Sequence, residues 1–227
     1  GSVSLPTLSS ALKDNDHAKL EATFLGFVRF SSFLTAPIFS GMACLAFPIV
    51  AILLGDKWLD AAPALALLAP AAFFTTLGQF SAYIILAKNK PLIKSLIAFG
   101  QALSGVVLLI LMAPYGVEYA ALAYTLNCVL TFPVTLFLSL KIAEISFGQY
   151  WAALWPSLLS SALMSAAVFA GQYGLTLSDI SLHPVFSVLV FVPIGALIYL
   201  ASMWIFNKPT ILESVHFVKA SLGKRVS

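Results

Sequence analysis

The sequence predicts an all-α fold, a polytopic bundle of six membrane-spanning helices, on three observations. Hydrophobic residues make up 60% of the 227 and charged residues only 9%, with a mean hydropathy of +0.99. A soluble domain carries charge on roughly a quarter of its residues, so this chain has too little to cover a water-facing surface. Apolar runs of about twenty residues, the length a helix needs to cross the hydrocarbon layer, recur along the whole chain. Short polar breaks containing Gly or Pro separate them.

In chain order the first span covers residues 23–54 and is longer than one straight crossing requires. It is expected to tilt or bend near Pro37 and Pro48. The others cover 62–87, 91–113, 117–141, 149–173 and 183–206. The borders are "GDKW", "KNKP", "APYG", "KIAE", "GQYG" followed by "LSDISLHP", and "NKP". Pro37, Pro48, Pro70, Pro133, Pro156 and Pro193 lie within spans, where membrane helices tolerate the kinks that soluble helices do not.

Residues 53–65, "LLGDKWLDAAPAL", form the first turn between spans. Gly55 with Asp56 ends one helix, Asp60 and Pro63 suit the start of the next, and Trp58 is an amphipathic ring of the kind found at the membrane interface. The turn reads as interfacial structure; a direct substrate role is the alternative.

Orientation follows from the basic residues. Lys13, Lys19 and Arg29, then Lys88, Lys90 and Lys94, then Lys141, then Lys208, Lys219, Lys224 and Arg225 fall on one side, which leaves Lys57 alone among the twelve on the other. The positive-inside bias therefore predicts that both ends are cytoplasmic, as an even number of crossings requires. Residues 1–22 form a cytoplasmic segment in this reading, and 207–227 a cytoplasmic tail. In the tail, Ile211, Leu212, Val215, Val218 and Leu222 recur at helical spacing beside Lys219, Lys224 and Arg225. It is either an amphipathic helix on anionic lipid or a disordered end. The chain opens without Met, and "GSVSLPTLSS" is no signal peptide, so a C-terminal fragment of something larger is expected, with Gly1-Ser2 as a cloning scar.

The chemistry available narrows the function. A net charge of +3 spread between spans is no nucleic-acid footprint. Cys44 and Cys128 lie within apolar runs and read as packing residues. His17, His183 and His216 are far apart and outside the spans, no metal spacing or phosphate loop occurs, and no cofactor is expected. The external turns are short and lack Arg or paired carboxylates, so no catalytic residue is assigned.

Polar residues within the spans are more informative. Thr75, Thr76, Gln79 and Tyr83 recur at helical spacing on the second span, Gln101 and Ser104 lie on the third, and Tyr124, Asn127, Thr131 and Thr135 on the fourth. Amides and hydroxyls cost free energy in hydrocarbon unless paired, so these faces point to other helices or to water. They either hydrogen-bond helices together or line a cavity that solvates sugar hydroxyls, for which Arg29, Thr76, Gln79, Tyr83, Gln101, Tyr124, Asn127 and Thr131 are the candidates. Ser157, Ser161 and Ser165 on the fifth span allow close helix packing. Arg29, inside the first span, either snorkels to the cytoplasmic surface or attracts a phosphate of a lipid-linked substrate. No Asp or Glu lies at mid-depth, so no proton or sodium relay is evident.

"LPTLSS" with Lys13, Asp14 and Asp16, then Arg29, Pro37, "LLGDKWLDAAPAL", "KNKP" and "PYGVEYAALAY", followed by a later "FP", together resemble the C-terminal part of bacterial polysaccharide exporters of the oligosaccharide flippase family. That family belongs to the superfamily of multidrug exporters and the lipid II flippase. The resemblance runs over residues 3 to about 140, and the last two spans match in hydropathy alone. One departure is Tyr119, where many members carry Gly. The resemblance implies one lobe of an alternating-access transporter in the bacterial inner membrane, working with an N-terminal lobe and with polysaccharide assembly machinery. Its substrate would be an undecaprenyl-diphosphate-linked oligosaccharide. The rivals are a drug/cation antiporter of the same superfamily, a membrane-embedded polysaccharide polymerase or ligase, and a non-transporting scaffold.

Overall fold

A computed structural model describes residues 17–178 and 183–207. The expected tail helix and the Lys13–Asp16 stretch lie outside them. Every element described is helical: α1 His17–Cys44, α2 Ala46–Leu53, a 3-10 turn Asp56–Ala61, α3 Ala62–Ala87, α4 Pro91–Met112, a 3-10 turn Ala113–Tyr115, α5 Val117–Ala143, α6 Phe147–Leu177 and α7 Pro184–Phe206. Six helical segments are long and apolar enough to cross a membrane, as the hydropathy runs predict.

The borders follow from local chemistry. Gly55 (φ 86) and Gly116 (φ 128) stand where the chain turns through a left-handed backbone conformation that only glycine adopts without strain. Asn89 (φ 54) makes the three-residue turn between α3 and α4, a conformation that Asn tolerates better than most residues. Glu144 (φ 59) closes α5, and the Ile145 N–H returns to Leu140 O at 3.0 Å. Ser146 caps α6: its Oγ accepts from the Gly148 N–H, while the Gln149 side chain accepts from the Ser146 N–H at 3.0 Å.

The expected long first span is two helices, and it breaks at Leu45, not at a proline itself. Pro48 supplies the reason. It has no N–H to donate to Cys44 O, so the helical ladder is interrupted there. Gln172 Nε2 on α6 donates to the freed Cys44 carbonyl at 3.3 Å. Pro37 leaves α1 continuous, and the Phe33 carbonyl it frees accepts from Tyr199 Oη on α7 at 2.8 Å. Beside Pro70, Thr125 Oγ1 of α5 donates to Leu67 O at 2.6 Å. The carbonyls freed by Pro37 and Pro48 are thus each taken by a donor on a neighbouring helix.

In space the helices follow the order α4, α5, α3, α1, α6, α7, with α2 against α3 and α7. The largest packed cluster sits at one end of the bundle. There Leu20, Phe24 and Val28 of α1 meet Leu77 and Ile84 of α3, Leu136 and Leu140 of α5, and Tyr150 and Leu154 of α6. Helix α4 lies at the edge and buries none of its residues.

Candidate functional site

A polar cleft opens between α3, α4 and α5 and has a volume of about 220 Å³. Thr75 and Gln79 face it from α3, Lys94 and Gln101 from α4, and Thr131 and Thr135 from α5, over a floor that includes Phe74, Gly78, Cys128 and Phe132. The antiparallel pairing of α3 and α4 across the tight turn at Asn89 brings Gln79 and Gln101 to a similar height. Both sit well above the turn, near which Lys94 stands.

The hydroxyls of the cleft are already satisfied as donors. Thr75 Oγ1 donates to Ala71 O at 2.8 Å, Thr131 Oγ1 to Asn127 O at 2.7 Å and Thr135 Oγ1 to Thr131 O at 3.2 Å. Their remaining lone pairs can accept from a ligand, while the Gln79 and Gln101 amides can both donate and accept. Among the described residues no carboxylate lines this cleft.

Asn127 plays the structural part that its alternative reading assigns to it. It is 5% exposed, its Oδ1 accepts from Ser104 Oγ at 2.6 Å and its Nδ2 donates to Gln101 O at 3.2 Å. This clamp joins α5 to α4 and holds the Gln101 backbone at the cleft. Tyr124 lies in an adjoining groove with Gln101, Gly105 and Asn127, where it is exposed. Thr76 Oγ1 donates to Ala72 O at 2.8 Å and stands off the cleft. The Tyr83 ring packs edge-on against Phe80 at 6.3 Å, beside the main core. Arg29 is half-buried on α1, which does not line the cleft, and its Nε donates to Leu25 O at 3.5 Å.

Three of the eight candidates, Gln79, Gln101 and Thr131, are therefore brought together at one cleft. Lys94 joins them as a residue that sequence reasoning counted only toward orientation. The signal was present: Lys94 and Gln101 are seven residues apart, which places them on one face of a helix.

Two further clefts are apolar. One of about 460 Å³ lies between α1, α2, α6 and α7, lined by residues such as Leu34, Ile38, Met42 and Val192. The other, of about 410 Å³, lies between α1, α3 and α6, and Ser161, with a buried unpartnered hydroxyl, is on its wall. Among the described residues, no cluster of three His, Cys, Asp or Glu side chains is placed to hold a metal ion.

Tyr119 does not crowd the start of α5, where the Gly of the resembling family would stand. It is 47% exposed, and its ring lies 5.7 Å from that of Tyr115.

Comparison with known proteins gives one likeness. No curated protein and no solved structure matches the chain. A protein family described as "polysaccharide biosynthesis protein" matches residues 1–63, a stretch that holds "LPTLSS", Arg29, Pro37 and most of the Gly55 turn and ends before "KNKP" and "PYGVEYAALAY". Over that first part, the multi-pass chain is similar to a family of polysaccharide biosynthesis.

Proposed function

We propose that this six-span unit is one lobe of a bacterial inner-membrane transporter. It would carry undecaprenyl-diphosphate-linked oligosaccharide repeat units from the cytoplasmic to the outer leaflet for exopolysaccharide or O-antigen synthesis. The observation that carries the reading is the α3/α4/α5 cleft, in which amides, hydroxyls and one cation converge inside an otherwise apolar bundle. A bilayer opposes a charged, hydroxylated head group while accepting its polyprenyl tail. A carrier therefore needs a polar cleft for the head and apolar surface for the tail, and the cleft among α1, α2, α6 and α7 offers the second. The likeness of residues 1–63 to a polysaccharide biosynthesis family supports the substrate class.

The polar cleft is open on one side, so a facing lobe is needed to enclose a head group, and rocking of two lobes supplies alternating access. In this reading the substrate's bonds are unchanged. A cation antiporter is expected to carry a buried carboxylate that couples ions to its substrate, and the polar cleft lacks one among the described residues.

The test is export by the full-length protein in a strain lacking its own exporter, with membrane levels matched. Replacing Gln79 and Gln101 together by Leu is expected to lower the lipid-linked saccharide reaching the outer leaflet by about thirtyfold, as two lost hydrogen bonds near 1 kcal/mol each imply. Undiminished export by that double variant, or none by the wild type, would reject the reading.

A further inference from the structure

We infer that Lys94 anchors the diphosphate of the lipid carrier, with Gln79 and Gln101 taking hydroxyls of the first sugar. The inference rests on the transport reading and goes beyond it by assigning the anionic part of the substrate to one end of the polar cleft. Lys94 is half-buried and lines that cleft. Residues 61–117 contain no Asp or Glu but do contain Lys88, Lys90 and Lys94, so the α3–α4 end of the cleft is cationic without an acidic residue on either of those helices. An ammonium held partly out of water in a cleft with no carboxylate among its described lining residues favours an anion, and its three donors suit phosphate oxygens.

The backbone adds to this preference. Lys94 stands in the first turn of α4, where the helix dipole is positive. Along α4, Lys94 and Gln101 are separated by about 10 Å at 1.5 Å per residue. An extended diphosphate followed by one sugar ring covers a similar length, so an anion at Lys94 leaves the sugar beside the two glutamines and the threonines of α5. Arg29, the sequence candidate for a phosphate contact, is on a helix outside this cleft.

The experiment measures thermal stabilisation of the purified full-length protein in detergent by geranyl diphosphate, with geraniol, inorganic diphosphate and phosphatidylglycerol as comparison probes. Geranyl diphosphate is expected to bind the wild type, more weakly as salt rises, and geraniol much less well. Affinity should fall about tenfold in Lys94→Ala, hold in Lys94→Arg and be unchanged in Lys57→Ala at the opposite end of the bundle, since a charge-assisted contact is worth that order. Competition by inorganic diphosphate that weakens in Lys94→Ala supports phosphate recognition. Equal competition by phosphatidylglycerol overturns the assignment and makes Lys94 a leaflet anchor. Binding that Lys94→Ala leaves intact sinks the Lys94 role alone, whereas a wild type that binds no geranyl diphosphate takes the transport reading down with it.

Discussion

Asn127 shows how a single amide serves both architecture and site. Buried between α4 and α5, it leaves no room for a side chain on the facing Gly105: a Cβ there would lie 2.9 Å from Asn127 Nδ2. Gly105→Val must therefore push the two helices apart or break the Ser104–Asn127–Gln101 clamp. It is expected to cost about 2 kcal/mol by overpacking. Gly100, on the same helix with nothing within 4 Å of its Cβ position, is the control. Gly100→Val should change stability by less than about 0.5 kcal/mol. Thermal unfolding of the two variants in detergent separates them, and equal melting temperatures would show that the close approach of α4 and α5 carries no energy.

Among the elements, α1 and α2 show what the prolines do. Pro48 frees Cys44 O and Gln172 occupies it, so the two residues act as one unit across the α1–α6 contact. Pro48→Ala returns an N–H to that carbonyl and lets α1 run on into α2, which leaves Gln172 without its acceptor. Interhelical hydrogen bonds in membranes are worth about 0.6 kcal/mol on average. Gln172→Leu is thus expected to destabilise the wild type by about that amount and to have no effect in the Pro48→Ala protein. A double-mutant cycle on unfolding free energies measures this coupling, and additive effects would mean the break at Leu45 is held by packing alone.

Across the whole molecule, exposed aromatics mark two rims. Trp58, Tyr115, Tyr119 and Tyr173 belong to one end of the bundle and Trp151, Trp155 and Trp204 to the other. On α6 alone, Trp151 and Tyr173 are separated by about 33 Å at 1.5 Å per residue, close to the roughly 30 Å of a hydrocarbon core. Such girdles fix depth but not direction, for which the basic residues are the guide. In a Cys44→Ser, Cys128→Ser protein, an impermeant maleimide added to spheroplasts is expected to label Lys57→Cys and to miss Lys90→Cys, which reacts once the membrane is opened. The reverse pattern would invert the chain and turn the Lys94 end of the cleft outward.

How much of this was legible in the sequence depends on whether the signal is local. The number of spans, most of their borders and the all-helical class follow from run length, glycine and proline placement and the scarcity of charge, because a helix satisfies its backbone within itself and the membrane selects its length. The exceptions are α1, which begins at His17 ahead of the expected residue 23, and α6, which runs through the expected "GQYG" border to Leu177. The "LLGD" at the end of α2 likewise carries its geometry in neighbouring residues. Which polar faces meet was not legible, since hydroxyls and amides at helical spacing look alike whether they face a helix, a cleft or their own carbonyls. Only the packing of α3, α4 and α5 separates Gln79, Gln101 and Thr131 at the cleft from Thr76, Tyr83 and Arg29 away from it. The same packing moved Lys94 from a border charge to a cleft wall, while the packing of α6 and α7 against α1 turned the carbonyls freed by Pro37 and Pro48 into acceptors for Tyr199 and Gln172. Those partners are more than a hundred residues away in the chain, and tertiary contact alone decides them.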